Sequence, residues 1–370
     1  MHQDLADLSA AADWFETWLT EQALPLWSTA GFDSTNASFH EALDQALVPI
    51  PGARRSRVQT RQCWVFAEAA RLGWDAGLLE LARAVEASHE RRYRREDGLF
   101  AYAVVPPGDA QDQRALLYDQ AFGLLAWSAL EMTGGAYAAK ADAHKGLLAA
   151  HAHPAGGYRE LGPQPFQANA HMHLLEASLA WEEAGHAAWR GFSDSIVELA
   201  LRRFIDRGAG VLHEFFDADW TPLAGDEGLI EPGHHFEWAW LLDRWSRLRA
   251  TGEVRPVAQA LYATGLLGVD PARKVAVGSL WPDLSVRDPH TRVWPQTEWL
   301  KAALIFGTED EALAAARALV SFLQGASPGL WREHMGGPAD IPGKPAPATS
   351  LYHVFGAIVA LLKAVGRRGG

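Results

Sequence analysis

The sequence predicts an all-α protein, an (α/α)6 barrel of about twelve helices with short β-hairpins in the inter-helix loops. Three observations carry that prediction. Helical segments alternate in pairs along the whole chain. A glycine-led aromatic extended piece returns after the second helix of most pairs. Residues suited to chemistry, namely Arg61, Asp119, His173, His234, Glu298 and His353, recur roughly 55 to 65 residues apart. Six such pairs can close into a ring whose inner helices face one central cavity. No linker or shift in composition divides the chain, so residues 1–370 read as a single catalytic barrel domain.

Taken in order, residues 5–27 form an amphipathic helix, with Leu5, Leu8, Ala12, Phe15 and Leu19 at helical spacing. A small, polar loop follows at 31–39, and Pro49-Ile-Pro-Gly52 is a break. Residues 57–73 are helical and end on a glycine suited to a C-cap. Residues 77–92 are the partner helix, and 98–105 read as a short strand closed by Pro106-Pro-Gly108. The unit returns as helices at 115–132 and 137–150 with an extended piece at 156–160, then as 167–183 and 188–207 with 210–216. It returns again as 232–248 and 254–267 with 278–282, and as 292–306 and 310–323 with 329–334. A glycine- and proline-rich loop at 336–348 leads into the last helix, 350–365. The second helix of each pair is rich in Ala, Leu and charge, with one apolar stripe and one solvated face, as an outer ring requires. The motif helices are richer in Trp, His, Gln and Asn and read as the inner ring.

A net charge of −12 and a pI near 5.7 argue against nucleic acid or an anionic membrane as partner. The single cysteine, Cys63, allows no intrachain disulfide, fits a reducing cytoplasm, and with no CxxC pair excludes a thiolate zinc site. The N-terminus lacks a basic segment followed by an apolar run, and no apolar run reaches membrane-spanning length. The 16 tryptophans either fill the core or offer rings that stack on sugars and heteroaromatics.

The richest stretch is Glu231-Pro-Gly-His-His-Phe-Glu-Trp-Ala-Trp-Leu-Leu242. Pro232 suits the first helical position. His234, Glu237, Trp238 and Leu241 then share one helix face. Burying His and Glu there is costly unless they are paired or used, so this face is expected to look into a cavity. Arg61 in TRQCWVF, Asn169 and His173 in NAHMH, Trp294-Pro-Gln-Thr-Glu298, and His353 in LYHVFGA recur with it. Histidines near neutral pKa with an arginine suit proton abstraction beside a carbonyl, the base taking a C–H proton and the cation stabilising an enediolate. Neither GxxxxGK[ST], a strand-anchored GxGxxG, GxSxG nor HExxH is present. His234 and Glu237 with His173 could bind a divalent metal, but no second ligand pair has recognisable spacing, so neither metal nor cofactor is expected.

The pieces TRQCWVFA, NAHMHLLEA, EPGHHFEWAWLL, WPQTEWLKA and LYHVFGA, in that order from about residue 57 onward, resemble the N-acylglucosamine 2-epimerase superfamily. The MHLLEA piece looks most like its mannose isomerase branch. The resemblance implies an (α/α)6 barrel and metal-independent acid/base catalysis on a reducing sugar. It implies His234 and His353 as the proton-transfer pair, with His173 and Glu237 assisting ring opening. Arg61 would hold substrate and stabilise the enediolate, and Asn169, Trp294, Gln296 and Glu298 would line the pocket, with Asp119 as a further substrate contact. The expected reaction is aldose–ketose isomerisation of D-mannose and D-fructose, or of a close relative, by a monomer or homodimer.

Other readings stay open at this level. A sugar 2-epimerase would use the same intermediate. An inverting glycoside hydrolase needs two carboxylates about 6.5–9.5 Å apart, for which Asp119 with Glu237 or Glu298 qualifies. A non-catalytic sugar- or partner-binding protein is a third. Arg54, Arg55 and Arg57 could bind a sugar phosphate or form a solvated loop.

Overall fold

The computed structural model describes residues 5–108, 110–336 and 343–367. The loop expected at 336–348 falls partly outside them, at 337–342. Helix α1 (Leu8–Thr17) starts at Asp7, whose side chain accepts the Ala10 N–H at 2.8 Å. It runs through a π-helical stretch, Trp18–Ala23, into α2 (Leu24–Ser28). Pro25, which has no N–H to give to the preceding turn, accounts for the widened helix before it. These pieces make one rod.

Six further helices form the inner ring: α3 (Ser56–Arg71), α5 (Leu117–Met132), α7 (Ala168–Glu183), α9 (Pro232–Arg249), α11 (Val293–Phe306) and α13 (Leu351–Ala364). Each packs on the next, and α13 packs on α3, so the ring closes. The outer helices are α4 (Gly77–Tyr93), α6 (Ala138–Leu147), α8 (Arg190–Leu199), α10 (Arg255–Leu267) and α12 (Glu309–Leu323). Each packs on the inner helix before it, and α1 takes the sixth outer place against α12 and α13.

Burial follows composition. In α9 every residue from Pro232 to Asp243 is buried, whereas α12 buries one stripe and carries a Thr308–Glu311 capping box at its start. Many tryptophans, including Trp127, Trp181, Trp238 and Trp331, are fully buried core side chains. No helix among the described residues is long and apolar enough to cross a membrane.

Short antiparallel hairpins sit over the N-terminal ends of the inner helices. Ala42–Leu43 pairs with Ala346–Pro347 and so ties the two ends of the chain together. The fourth residue of five inner helices clamps one of these loops. Gln59, Gln120 and Gln296 each exchange two hydrogen bonds with one backbone residue, respectively Phe39, Phe100 and Ala276, at 2.7–3.0 Å. His171 and His235 do the same work with one ring nitrogen, accepting the N–H of Tyr158 and of Leu212 at 2.9 Å. These bonds satisfy loop backbone groups that would otherwise be buried unpaired. Gln296, expected to line the pocket, is therefore a loop clamp: its amide is spent on Ala276 and on the Arg292 carbonyl.

Candidate active site

A cavity of about 200 Å³ opens at the N-terminal ends of the inner helices. Seven expected residues line it: Arg61, Asn169, His173, His234, Glu237, Trp294 and His353. Tyr118, Glu231, Arg292, Thr349 and Ser350 join them. On the inner helices these are second, third or sixth residues, so positions three or four apart present one face to the cavity while the fourth residue turns to the hairpins.

Each of the three histidines has its Nδ1 beside a carboxylate, which leaves Nε2 for the cavity. His234 Nδ1 lies 2.8 Å from Glu214 Oε2 and 2.9 Å from Glu231 Oε2. Burial favours the neutral ring, but two carboxylates outweigh it, and the His234 pKa is raised well above 6.5. His353 Nδ1 lies 2.9 Å from Glu298 Oε1. There burial wins over the single partner and lowers the pKa to about 3, so the ring is neutral at pH 7. His173 Nδ1 lies 3.3 Å from Glu176 Oε2 and is likewise held neutral by burial, at about 4. The Trp294 ring touches both His234 and His353, with centroids 4.9 and 5.9 Å away. Gly233 makes that possible, because a Cβ there would come within 2.4 Å of the Trp294 ring.

Glu237 is 1% exposed, and neither of its oxygens has a hydrogen-bond partner among the described residues. Burial and the neighbouring Glu298 carboxylate push its carboxyl well above the usual range, so it stands as a neutral acid. Glu298 is the opposite case. Against burial, Lys301 and the His353 hydrogen bond hold it at about 2. Arg61 donates to the Thr349 carbonyl at 3.1 Å, to the Thr349 hydroxyl and to the Tyr118 hydroxyl, and its Nε is left without a partner. Asn169 Oδ1 is unpartnered too. Unmatched polar atoms from Arg61, Asn169 and Glu237 around one small cavity suit a ligand rich in hydroxyl groups.

Besides Gln296, two expected substrate contacts are not at the cavity. Asp119 is fully buried and paired with Arg57 at 2.8 Å. Glu298 is fully buried behind His353. The carboxylate pair imagined for glycoside hydrolysis is thereby broken up, since one member is committed to Arg57 and Glu298 to His353.

Three groups bring possible metal ligands within 4.8 Å of one another: His173, Glu176 and Glu237; Glu214, Glu231 and His234; and Glu237, Glu298 and His353. In each group the histidine Nδ1 is already hydrogen-bonded to a carboxylate of that group. Sequence reasoning misses Glu231 and Glu176, although each stands three residues from a site histidine, His234 and His173, and it misses Glu214 and Tyr118, which carry no such spacing signal.

The sequence model of the N-acylglucosamine 2-epimerase (GlcNAc 2-epimerase) family matches residues 38–357. A protein named mannose-6-phosphate isomerase, from Rhizobium meliloti (strain 1021), is 40% identical over 377 residues, covering 96% of this chain and 97% of its own. Cellobiose 2-epimerase from Spirochaeta thermophila DSM 6192 has a similar structure, with a TM-score of 0.86 at 21% identity over 97% of both chains. So has a D-mannose isomerase, with a TM-score of 0.85 at 20% identity over 95% of this chain and 97% of that one. At such identities the structural likeness speaks for the (α/α)6 fold.

Proposed function

The chain belongs to the N-acylglucosamine 2-epimerase family of sugar epimerases and isomerases, and from that premise we propose that it is an aldose–ketose isomerase interconverting D-mannose and D-fructose. The observation that carries this reading is the unequal pairing of two histidines against one Trp294 ring: His234, on two carboxylates, is cationic, and His353, on one, is neutral. One is a ready acid and the other a ready base.

The neutral carboxyl of Glu237, with His173 near it, assists opening of the pyranose ring. His353 Nε2 then takes the C2 proton. The C2–H electrons form the C1–C2 double bond, and the carbonyl pair moves to O1, which takes a proton from His234. From this cis-enediol the reverse transfers complete the reaction. His234 recovers a proton from the O2 hydroxyl while His353 delivers its proton to C1. Arg61 and the N-terminal ends of the inner helices favour the charge that builds on the enediolate oxygens. No step calls for a metal or cofactor, and we place the reaction in the cytoplasm, carried out by a monomer or homodimer.

The free sugar is preferred to its phosphate. Arg54, Arg55 and Arg57 are paired with Asp33, Glu41 and Asp119, and none lines the cavity. A cavity of about 200 Å³ lies below the ~300–1,000 Å³ of drug-sized pockets, which favours a monosaccharide over a disaccharide. A 2-epimerase is the second reading, because the His234 cation borders the same cavity and could return a proton to C2.

The test is proton NMR in D2O with D-mannose, D-glucose, mannose 6-phosphate and cellobiose, with and without EDTA. Fructose from mannose, with deuterium at the exchanged carbon and no effect of EDTA, is expected. Glucose as the main product of mannose overturns the isomerase assignment in favour of epimerase, and turnover of the phosphate alone overturns the free-sugar assignment.

A further inference from the structure

The geometry points to Lys301 as a positioning residue that acts from the far end of the barrel: it anchors Glu298, and Glu298 in turn keeps the Nδ1 proton of His353 in place, leaving Nε2 free to react. This rests on His353 being the base. Lys301 is three residues beyond Glu298 on α11, one turn deeper on the same face. Its Nζ lies 2.6 Å from Glu298 Oε2 and 4.2 Å from the Trp240 ring centroid, and Trp240 Nε1 donates to the same oxygen at 2.8 Å. The other oxygen, Oε1, faces His353 Nδ1 at 2.9 Å and the Thr297 hydroxyl at 3.1 Å. One carboxylate thus links a lysine below to the histidine above.

Lys301 does not line the substrate cavity. The 10% of its side chain that is exposed borders a second cavity, of about 710 Å³, at the C-terminal ends of the inner helices. Trp64, Arg244 and Phe355 are among the residues around it.

A cation is needed at this place. Glu176 from α7, Glu237 from α9 and Glu298 from α11 converge on the axis, with the Tyr352 hydroxyl of α13 on Glu176. Arg61 from α3, Tyr118 from α5, His173 from α7, His234 from α9 with Glu231 just before it, Arg292 just before α11, and His353 from α13 are the other titratable or charged groups on the cavity side. The charged groups of the outer helices against α11 are engaged elsewhere or exposed: Arg255 of α10 is bound to Asp243, Arg317 of α12 to the Leu5 carbonyl, and Glu311 to the Thr308 N–H, while Glu309 and Asp310 are exposed. Tyr262 of α10 is buried against Phe236 and Phe306. Lys301 favours the ionised form of all three axial carboxyls. Without it, Glu298 competes with Glu237 for a proton. A protonated Glu298 donates to Nδ1, the ring proton moves to Nε2, and the lone pair that takes the C2 proton is gone.

The test uses Lys301→Met, Glu298→Gln and the double variant, assayed with the sugar that the wild type turns over. Lys301→Met is expected to lose about 10²-fold in kcat with KM held, to move the acid limb of the pH profile upward, and to regain activity with ethylammonium, which can enter the far cavity. The double variant removes both buried charges, which folds more readily than removing one, and is expected to be no slower than Glu298→Gln alone. Arg247→Ala, at the same far cavity, is the unaffected control. The His353 tautomer, read by ¹⁵N NMR of histidine-labelled protein, is expected to change in Lys301→Met. That reading needs no turnover, so it decides the positioning role even if the wild type acts on no sugar offered. An unchanged tautomer, additive losses in the double variant, or a rise in KM with kcat intact overturns the proposal.

Discussion

At the residue scale, the proposed catalysis rests on two imidazoles kept in different charge states by the number of carboxylates each meets. His234 meets two, Glu214 and Glu231, and His353 meets one, Glu298. His353→Gln is expected to lower kcat by about 10²–10⁴-fold with a smaller effect on KM, as measured by steady-state kinetics on the active sugar. A loss confined to KM would remove His353 from proton transfer. The pH profile of kcat/KM follows the same charges. In the proposed mechanism His353 acts unprotonated, with its pKa lowered to about 3, and His234 acts protonated, with its pKa raised. The plateau should therefore be broad, and Glu231→Gln should pull the alkaline limb to lower pH by removing one of the two carboxylates that hold the His234 proton. An unmoved alkaline limb would assign that limb to another group.

At the scale of the element, the inner helices divide their first two turns between two tasks. Second, third and sixth positions supply the cavity lining, and in five of the helices the fourth holds a loop. Gln296→Ala leaves the Ala276 N–H and C=O without their partner, which costs about 1–3 kcal/mol for each buried group. Urea denaturation should register that loss, while kcat of the remaining folded protein should change little; a stable but inactive variant would return Gln296 to the cavity. Gly233 matters for space, since its position leaves no room for a methyl group beside Trp294. Gly233→Ala should push that ring off His234 and raise KM by roughly tenfold, the effect of about 1.4 kcal/mol of lost binding. Substrate titration by Trp fluorescence reads this directly.

Over the whole molecule, burial of neutral histidines makes stability depend on pH. His89, His144 and His353 are lowered by burial to about 3, and His171, His173 and His235 to about 4, from 6.5. Between those values the unfolded chain binds protons that the folded one refuses, so stability is fully present above pH 6.5 and is lost as pH falls toward 4. His234 works in the other direction: its stabilisation is present below its unfolded pKa and is lost as pH rises through its raised folded value. His40, His151, His213 and His334 are lowered by burial as well, so among the histidines ten stand against one, and the urea midpoint should fall from pH 7 to pH 4. A flat midpoint over that range would contradict burial of these rings in neutral form.

Much of this was legible in the amino-acid order. Helical period, the contrast between Trp- and His-rich inner segments and Ala-rich outer ones, and their regular return all come from spacing within a few residues, and they suffice for a ring of helix pairs. His173, His234 and Glu237 could be placed on shared faces for the same reason. What the order could not separate were side chains of the same type with different surroundings. Gln296 and Trp294 are two residues apart on one helix, yet one turns to a hairpin and the other to the cavity. Asp119 reads like any site carboxylate until Arg57 is found against it. The partners that decide charge, Glu214 for His234, Glu298 for His353 and Lys301 for Glu298, are set by distances through a low-dielectric interior. Glu214 and Glu298 reach their histidines from other elements of the fold. Sequence determined which residues stand ready along each inner helix. Only closure of the ring, which brings those helices within a few ångströms of one another and excludes water between them, decided which histidine keeps its proton.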